Sequence, residues 1–273
     1  MTHCLYFCRM FLHAAHASLQ GHSKILIRTV DSDVVALAIA FFCKLQLDEL
    51  WVAYGSGNNY RVIPTHEIAI SLGVRKSIVL PAFHAITGCD VTSAFAGRGK
   101  KTCWDVWTVF PELTAALHAI SNCPDSISQE TSALLERFVV LLYSKTLEAE
   151  TVNEARQILF SKGNRTLENI PPTQGALQEH VKRAAYQAGH VWSQALKATP
   201  QIPSPAEWGW RYTGQYWTPK WTSLPDASSV CKELLHCGCK KSCAGRCKCA
   251  QASLDCTQLC ACSGQGFCTR QET

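Results

Sequence analysis

Long hydrophobic runs are absent from this chain of 273 residues. No stretch approaches the roughly 18–20 apolar residues of a membrane-spanning helix, and the longest apolar run, residues 34–43, suits a buried helix. No basic segment precedes the apolar start, and Arg9 interrupts it, so a secretory signal is not expected. These absences predict a protein with no membrane partner that resides in the nucleus or the cytoplasm.

Internal repeats and low-complexity tracts are absent too, and the net charge is small. A formal charge of +5 does not by itself imply a polyanionic partner. The apolar fraction of 47% is high enough to build a core. The length therefore predicts one ordinary domain together with something smaller.

Cysteine is scarce in most of the chain and dense near its end. The first 230 residues hold six of the sixteen cysteines, whereas nine lie between Cys237 and Cys268. Three Cys-x-Cys pairs recur in this segment, and a disulfide between cysteines two apart would close a strained ring. Dense thiolates favour a soft metal, and structural zinc takes four ligands in a tetrahedron. The predicted zinc ligands are Cys237, Cys239, Cys243, Cys247, Cys249, Cys256, Cys260, Cys262 and Cys268.

The nine thiolates cannot fill three separate four-ligand sites, which would need twelve ligands. If three sulfurs each bridge two metals, nine cysteines can hold three structural Zn²⁺ ions. Such a cluster carries a net negative charge, which the neighbouring cations offset while they form a basic rim. These cations are Lys240, Lys241, Arg246 and Lys248. The alternatives to a nucleic-acid-binding cluster are a metallothionein-like metal store and a module with a purely structural role.

The spacing over residues 237–268 resembles the tesmin-type CXC domain. The shared features are a Cys-x-Cys pair followed by Lys-Lys, a second Cys-x-Cys, six residues, and then Cys-x3-Cys-x-Cys. The resemblance implies three zinc ions and a nucleic-acid partner, DNA, which is bound through the minor groove. Arg246 stands where the family carries a tyrosine that enters the groove, and arginine can also occupy a narrow minor groove.

Residues 1–110 alternate between predicted strands and helices. Strands are expected at residues 24–30, Glu49–Tyr54 and 60–63, and helices at 13–19, 34–44 and 64–72. This alternation predicts a parallel sheet covered by helices. Residues 111–198 are predicted to form a helical extension, in which His180 is expected to be solvated.

Residues 199–230 read as a linker rich in proline and tryptophan. Its aromatic side chains are expected to pack on the preceding domain, and a ligand platform is the alternative. Residues 231–273 then form the zinc-cluster module.

Two acids, Asp31 and Asp33, follow the first predicted strand, where open α/β sheets place their sites. Paired carboxylates suit hard divalent cations, and the alternative is that Asp33 caps the next helix. Asp90 ends another apolar helix and precedes the turn Gly97-Arg98-Gly99-Lys100-Lys101. A glycine-rich turn with three cations lets backbone amides and lysines approach phosphates, although a simple turn between helices would read the same way.

In this order the acids and the glycine-rich turn resemble flap endonuclease-like (XPG-type) PIN nucleases. The resemblance implies that Asp31, Asp33 and Asp90 are catalytic ligands of Mg²⁺ in two-metal hydrolysis. It also implies that Arg98, Lys100 and Lys101 hold a nucleic-acid backbone.

The chain departs from the PIN family at its start. The family's first strand is missing, and Leu5 and Phe7 stand where the family carries acids. The domain therefore resembles a truncated or degenerate copy, such as a mobile element leaves. The expected fold is α/β: an incomplete PIN-like parallel sheet with helices, a helical extension and a small irregular zinc-cluster domain. The sequence predicts a zinc-binding, nucleic-acid-binding protein with impaired catalysis. An active Mg²⁺-dependent, structure-selective endonuclease is the alternative.

Overall fold

The structure is a computed structural model that describes residues 2–161, 169–224, 237–240, 243, 247–251, 256 and 260–262; for residues 2–8 it describes the backbone only. The chain divides into two compact units, Met1–Ser223 and Leu224–Thr273. The first unit mixes helices with a small sheet, and the second is rich in cysteine. A mixed α/β class with a cysteine-rich end is therefore confirmed.

The first part of unit 1 alternates between helices and strands. Its elements are α1 Thr2–Leu19, β1 Lys24–Thr29, α2 Ser32–Phe42, β2 Glu49–Tyr54, β3 Arg61–Pro64, α3 Thr65–Leu72, α4 Val74–Ser77 and α5 Leu80–Ile86. Helix α2 is apolar nearly all round because it is buried on most sides. Phe11 of α1 packs against Phe41 of α2, with ring centroids 5.4 Å apart.

The sheet has the strand order β1-β2-β3, and only its first pair is parallel. In this pair Leu26 lies opposite Trp51, whereas β3 runs antiparallel to β2 with Ile63 opposite Val52. The prediction of a parallel sheet is therefore correct for β1 and β2 and wrong for β3. A helical crossover joins β1 to β2, but only a short turn joins β2 to β3, and a short turn must reverse the chain.

The rest of unit 1 is mainly helical. Its elements are α6 Lys100–Val109, α7 Leu113–Asn122, α8 Gln129–Tyr143, α9 Val152–Ser161 and α10 Gln174–Ala185, then a π-helical segment Tyr186–Val191 and the strands β4 Trp210–Tyr212 and β5 Trp217–Pro219. After Ala185 the chain changes from α-helical to π-helical geometry. In that segment Gly189 packs so closely on α7 that a Cβ would lie 2.8 Å from the Ile120 carbonyl oxygen.

Residues 199–223 belong to unit 1 and include the β4–β5 hairpin. Trp208 is buried against the main core, as expected of the aromatic side chains in this region, whereas Trp221 is 64% exposed. Arg183 of α10 holds the hairpin, because its Nη1 donates to the carbonyl oxygens of Gly209 and Lys220, at 3.0 and 2.7 Å.

Within the described ranges no single helix is long and apolar enough to cross a membrane. Only the bent pair Thr65–Leu72 and Val74–Ile86, with 113° between its halves, meets the length and composition of a span.

Candidate metal centre and acidic cluster

Eight of the nine predicted zinc ligands fall within the described residues, and Cys268 lies outside them. Seven of the eight are buried and Cys239 is half-buried. The buried members of this cluster are all cysteines, and Ala250 is the other apolar residue of the described part that packs on them. Sulfur thus takes the place of an apolar core, as the composition of the segment predicts.

The thiols assemble into two groups of four whose sulfurs lie within 4.8 Å of one another. The first group is Cys237, Cys243, Cys247 and Cys256, and the second is Cys237, Cys256, Cys260 and Cys262. Each group offers the four sulfur ligands of a structural zinc site.

The distances between the described sulfurs fit a shared metal and are too long for disulfide bonds. Cys237 Sγ lies 3.5 Å from Cys262 Sγ and 3.9 Å from the sulfurs of Cys243 and Cys256. A disulfide bond is only about 2.05 Å long. A tetrahedral zinc with Zn–S bonds of about 2.3 Å separates its sulfurs by about 3.8 Å. The donor set and its spacing therefore fit zinc.

Two sulfurs, those of Cys237 and Cys256, belong to both groups. Six cysteines thus form two four-sulfur groups. Two groups without a common sulfur would need eight cysteines.

Backbone contacts hold the thiols in place. The amide of Ala261 donates to the Cys237 carbonyl oxygen at 2.8 Å, and the Cys237 amide donates to Cys260 Sγ at 3.4 Å. Cys247 immediately precedes the short helix α11, Lys248–Gln251. A hydrogen bond from the Ala250 amide lowers the pKa of the Cys247 thiol, so this sulfur favours the thiolate form that metals bind.

Of the four cations expected to form a basic rim, Lys240 and Lys248 are described, and both are exposed. Lys241 and Arg246 lie outside the described residues.

Asp31 and Asp33 lie just after the carboxyl end of β1, and Asp90 is near enough to act on Asp31 electrostatically. Asp31 caps α2, because its Oδ1 accepts a hydrogen bond from the Asp33 amide at 2.7 Å. The residue that caps α2 is therefore Asp31, and not Asp33 as the sequence analysis considered. Burial, together with the negative charges of Asp33 and Asp90, raises the pKa of the Asp31 carboxyl.

Asp33 is buried and paired with a histidine to which the sequence pattern assigns no role. Its Oδ1 lies 2.8 Å from Nε2 of His84, which projects from α5. The signal available in the sequence was the position of His84 near the end of an apolar helix, six residues before Asp90. Among the described residues, only the cysteines form a group of three or more potential ligands within 4.8 Å. The three acids are therefore not gathered into a ready metal cage.

The glycine-rich turn places its three cations differently. Arg98 donates from Nε to the Leu142 carbonyl oxygen at 2.7 Å and lies over the ring of Tyr143. Lys101 extends into solvent beside Asp105, at 2.9 Å.

Lys100 is half-buried, and its side chain forms hydrogen bonds at the end of α5. Its Nζ donates to the His84 carbonyl oxygen at 2.6 Å, to Thr87 Oγ1 at 2.8 Å, and to the Gly88 carbonyl oxygen. Burial lowers the pKa of Lys100 to about 8. Among the three cations, the side chain of Lys101 is thus the one most available to a phosphate.

His180 is buried, contrary to the expectation that it is solvated. Its Nε2 donates to the Ile86 carbonyl oxygen at 2.8 Å, because a carbonyl can only accept. Burial lowers the pKa of His180 to about 4, so the imidazole is neutral. The expectation was wrong because the face of α10 that carries His180 packs against α5.

Comparison with known proteins found no matching family model, no matching curated protein and no matching solved structure.

Proposed function

We propose that this protein binds nucleic acid and that its cysteine segment is a structural zinc cluster. The observation that carries the proposal is the sharing of Cys237 and Cys256 between two four-sulfur groups. Shared thiolates let a small number of cysteines saturate several zinc ions, and free thiols at this density are hard to explain otherwise. The proposed content is three zinc ions on nine cysteines, with Cys268 completing the set.

The proposed partner of the cluster is DNA, which is bound through the basic rim. Lys240 and Lys248 are exposed on the described part of the segment, and Lys241 and Arg246 lie within two residues of them in the sequence. Metal binding folds the segment and so fixes these cations around the cluster. The resemblance to tesmin-type CXC domains supports duplex DNA as the partner.

The first unit is proposed to descend from a PIN-like nuclease and to be catalytically impaired. His84 occupies one oxygen of Asp33 that metal binding would need, and the acids form no group of three or more ligands within 4.8 Å in the described residues. Two-metal hydrolysis needs carboxylates gathered about both ions. The absence of acids at Leu5 and Phe7 supports the same proposal.

The binding test uses the full zinc-loaded chain and a fluorescently labelled duplex, with anisotropy measured over a range of salt concentrations. We expect the double variant Lys240→Ala/Lys248→Ala to bind more weakly and with a shallower salt dependence. The slope should fall by up to about 0.9 for each phosphate that is no longer neutralised. Lys145→Ala/Lys197→Ala removes two exposed cations of the first unit and is the matched control. Equal binding by both double variants would contradict the role of the rim.

Catalysis is tested separately with flap and duplex DNA in the presence of Mg²⁺. The proposal predicts intact DNA. Cleavage that disappears in both Asp33→Ala and Asp90→Ala would instead support the endonuclease alternative.

A further inference from the structure

A cavity of about 260 Å³ in unit 1 is lined by none of the three acids Asp31, Asp33 and Asp90. Its walls come from the turn before α6, the end of α8, α9, α10 and the segment after β5. The residues that give it chemical character are Phe95, Tyr143, Arg156, His180, Arg183 and Trp221. No acidic residue is among the described residues that line it.

Two guanidinium groups make the cavity cationic. Only 2% of the Arg183 surface is exposed, and Nη1 is the only one of its nitrogens that donates to a protein acceptor in the described part of the chain. Arg156 likewise uses Nη1 for the Pro171 carbonyl oxygen. A guanidinium has five N–H donors, so both side chains retain donors that no acceptor in the described part of the chain uses.

Glu179 offsets part of this charge, because its carboxylate favours the charged form of Arg183. Glu179 lies one helical turn before Arg183, but its Oε1 is already paired with Lys182 at 3.2 Å and with Lys220 at 3.4 Å. His180 adds no charge, because burial keeps its imidazole neutral. The local charge balance is therefore positive, and a buried cation is best stabilised by an anion with matching geometry.

Aromatic rings form the remaining walls. Phe95 meets His180 edge to face with ring centroids 5.3 Å apart, and the guanidinium of Arg183 lies 5.8 Å from the centroid of the Trp221 ring. Most of the Trp221 side chain is exposed, so one face of the indole is open to a ligand. At about 260 Å³ the cavity is slightly smaller than the roughly 300–1,000 Å³ of pockets for drug-sized ligands, so it suits a ligand no larger than a mononucleotide.

We infer that this cavity binds an aromatic phosphate monoester of mononucleotide size, with the phosphate on Arg156 and Arg183 and the ring against Trp221. Arginine pairs suit the geometry of a phosphate, and aromatic side chains stack on any nucleobase. The ligand is either a free nucleotide or the phosphorylated end of a nucleic-acid strand. The inference does not rest on the zinc cluster.

The test titrates the full zinc-loaded chain with adenosine 5′-monophosphate by calorimetry. We expect saturable binding that weakens at least about tenfold in Arg156→Gln and in Trp221→Ala. Arg75→Gln, which removes an exposed arginine of α4 that does not line the cavity, is the matched control and should bind as the parent does. Thermal unfolding of each variant checks that it folds, and the exposed Trp221 makes loss of folding unexpected there.

Two oligonucleotides, one with a 5′-phosphate and one with a 5′-hydroxyl, distinguish the two sources of the ligand. Tighter binding of the phosphorylated strand that Arg156→Gln abolishes supports a strand end, and binding confined to the mononucleotide supports a free nucleotide. The inference is overturned if neither the mononucleotide nor the phosphorylated strand binds. It is also overturned if Arg156→Gln and Trp221→Ala bind these probes as tightly as Arg75→Gln does. Loss of duplex binding through the rim cations would leave this result unchanged.

Discussion

His84 Nε2 lies 2.8 Å from Oδ1 of Asp33, and the pair ties α5 to the first turn of α2. Both side chains are largely buried, with 13% and 5% of their surfaces exposed. The contact therefore fixes the acidic end of the sheet and provides the buried carboxylate with a hydrogen-bond partner. A buried charge that loses its partner is costly.

Replacing His84 by alanine should lower the free energy of unfolding by about 2–4 kcal/mol, because Asp33 would remain buried without its partner. Urea unfolding measures this loss. His118→Ala removes an exposed histidine and should change stability by no more than about 0.5 kcal/mol. A double-mutant cycle with Asp33→Asn should show a coupling of about 0.5–3 kcal/mol. Strictly additive effects would argue that the two side chains do not interact.

The two adjacent lysines of the glycine-rich turn should differ sharply in their importance for stability. Lys100→Met removes a donor from the carbonyl oxygens at the end of α5, so we expect a loss of about 2–4 kcal/mol. Lys101→Met removes only an exposed pair with Asp105, and its effect should stay within about 0.5 kcal/mol. Chemical unfolding of both variants gives the comparison, and similar losses would contradict the inward position of Lys100.

His180 predicts a specific dependence of stability on pH. Its pKa is about 4 in the folded protein and near 6.5 in the unfolded chain. The unfolded state therefore binds the proton first, so the stability is fully present above pH 6.5 and falls as the pH decreases towards 4. The loss should reach roughly 3 kcal/mol.

The matched variant for this pH dependence is His180→Gln, which retains a donor for the Ile86 carbonyl oxygen. Both proteins carry the same cysteine segment, so the difference between their unfolding free energies isolates the imidazole. This difference should change between pH 6.5 and 4 by the amount that His180 contributes. A constant difference would show that His180 takes up its proton as easily in the folded protein as in the unfolded chain.

Sequence patterns located β1, β2, β3 and several helices because apolar periodicity and turn residues act locally, whereas the β4–β5 hairpin lies in the segment predicted to be a linker. Glu49–Tyr54 and the strand from Lys24 were predicted almost to the residue. The direction of β3 was predictable in principle, since the short turn before it forces a reversal. Contacts between distant elements were not predictable: His84 meets Asp33 across 51 residues, and His180 meets Ile86 across 94.

The function of the cysteine segment was the easiest to predict from the sequence, because the spacing of its cysteines excludes most roles other than metal binding. Which sulfurs belong to both four-sulfur groups could not be predicted from spacing, since it depends on how the loops of the segment fold. The structure points to Cys237 and Cys256.

Loss of a shared sulfur should disturb more than one metal. We expect Cys256→Ser to bind fewer zinc ions than the parent protein, whereas Cys123→Ser, which removes an exposed free thiol at the carboxyl end of α7, should leave the zinc content unchanged. Metal analysis of the purified variants measures the difference. Equal zinc contents would mean that Cys256 is not a ligand.

Native mass spectrometry of the intact chain tests the central claim most directly. A thiolate cluster with shared sulfurs predicts three zinc ions per chain, all of which are lost on acidification as the cysteines take up protons. One zinc ion, or none together with the mass decrease of paired disulfides, would contradict the cluster.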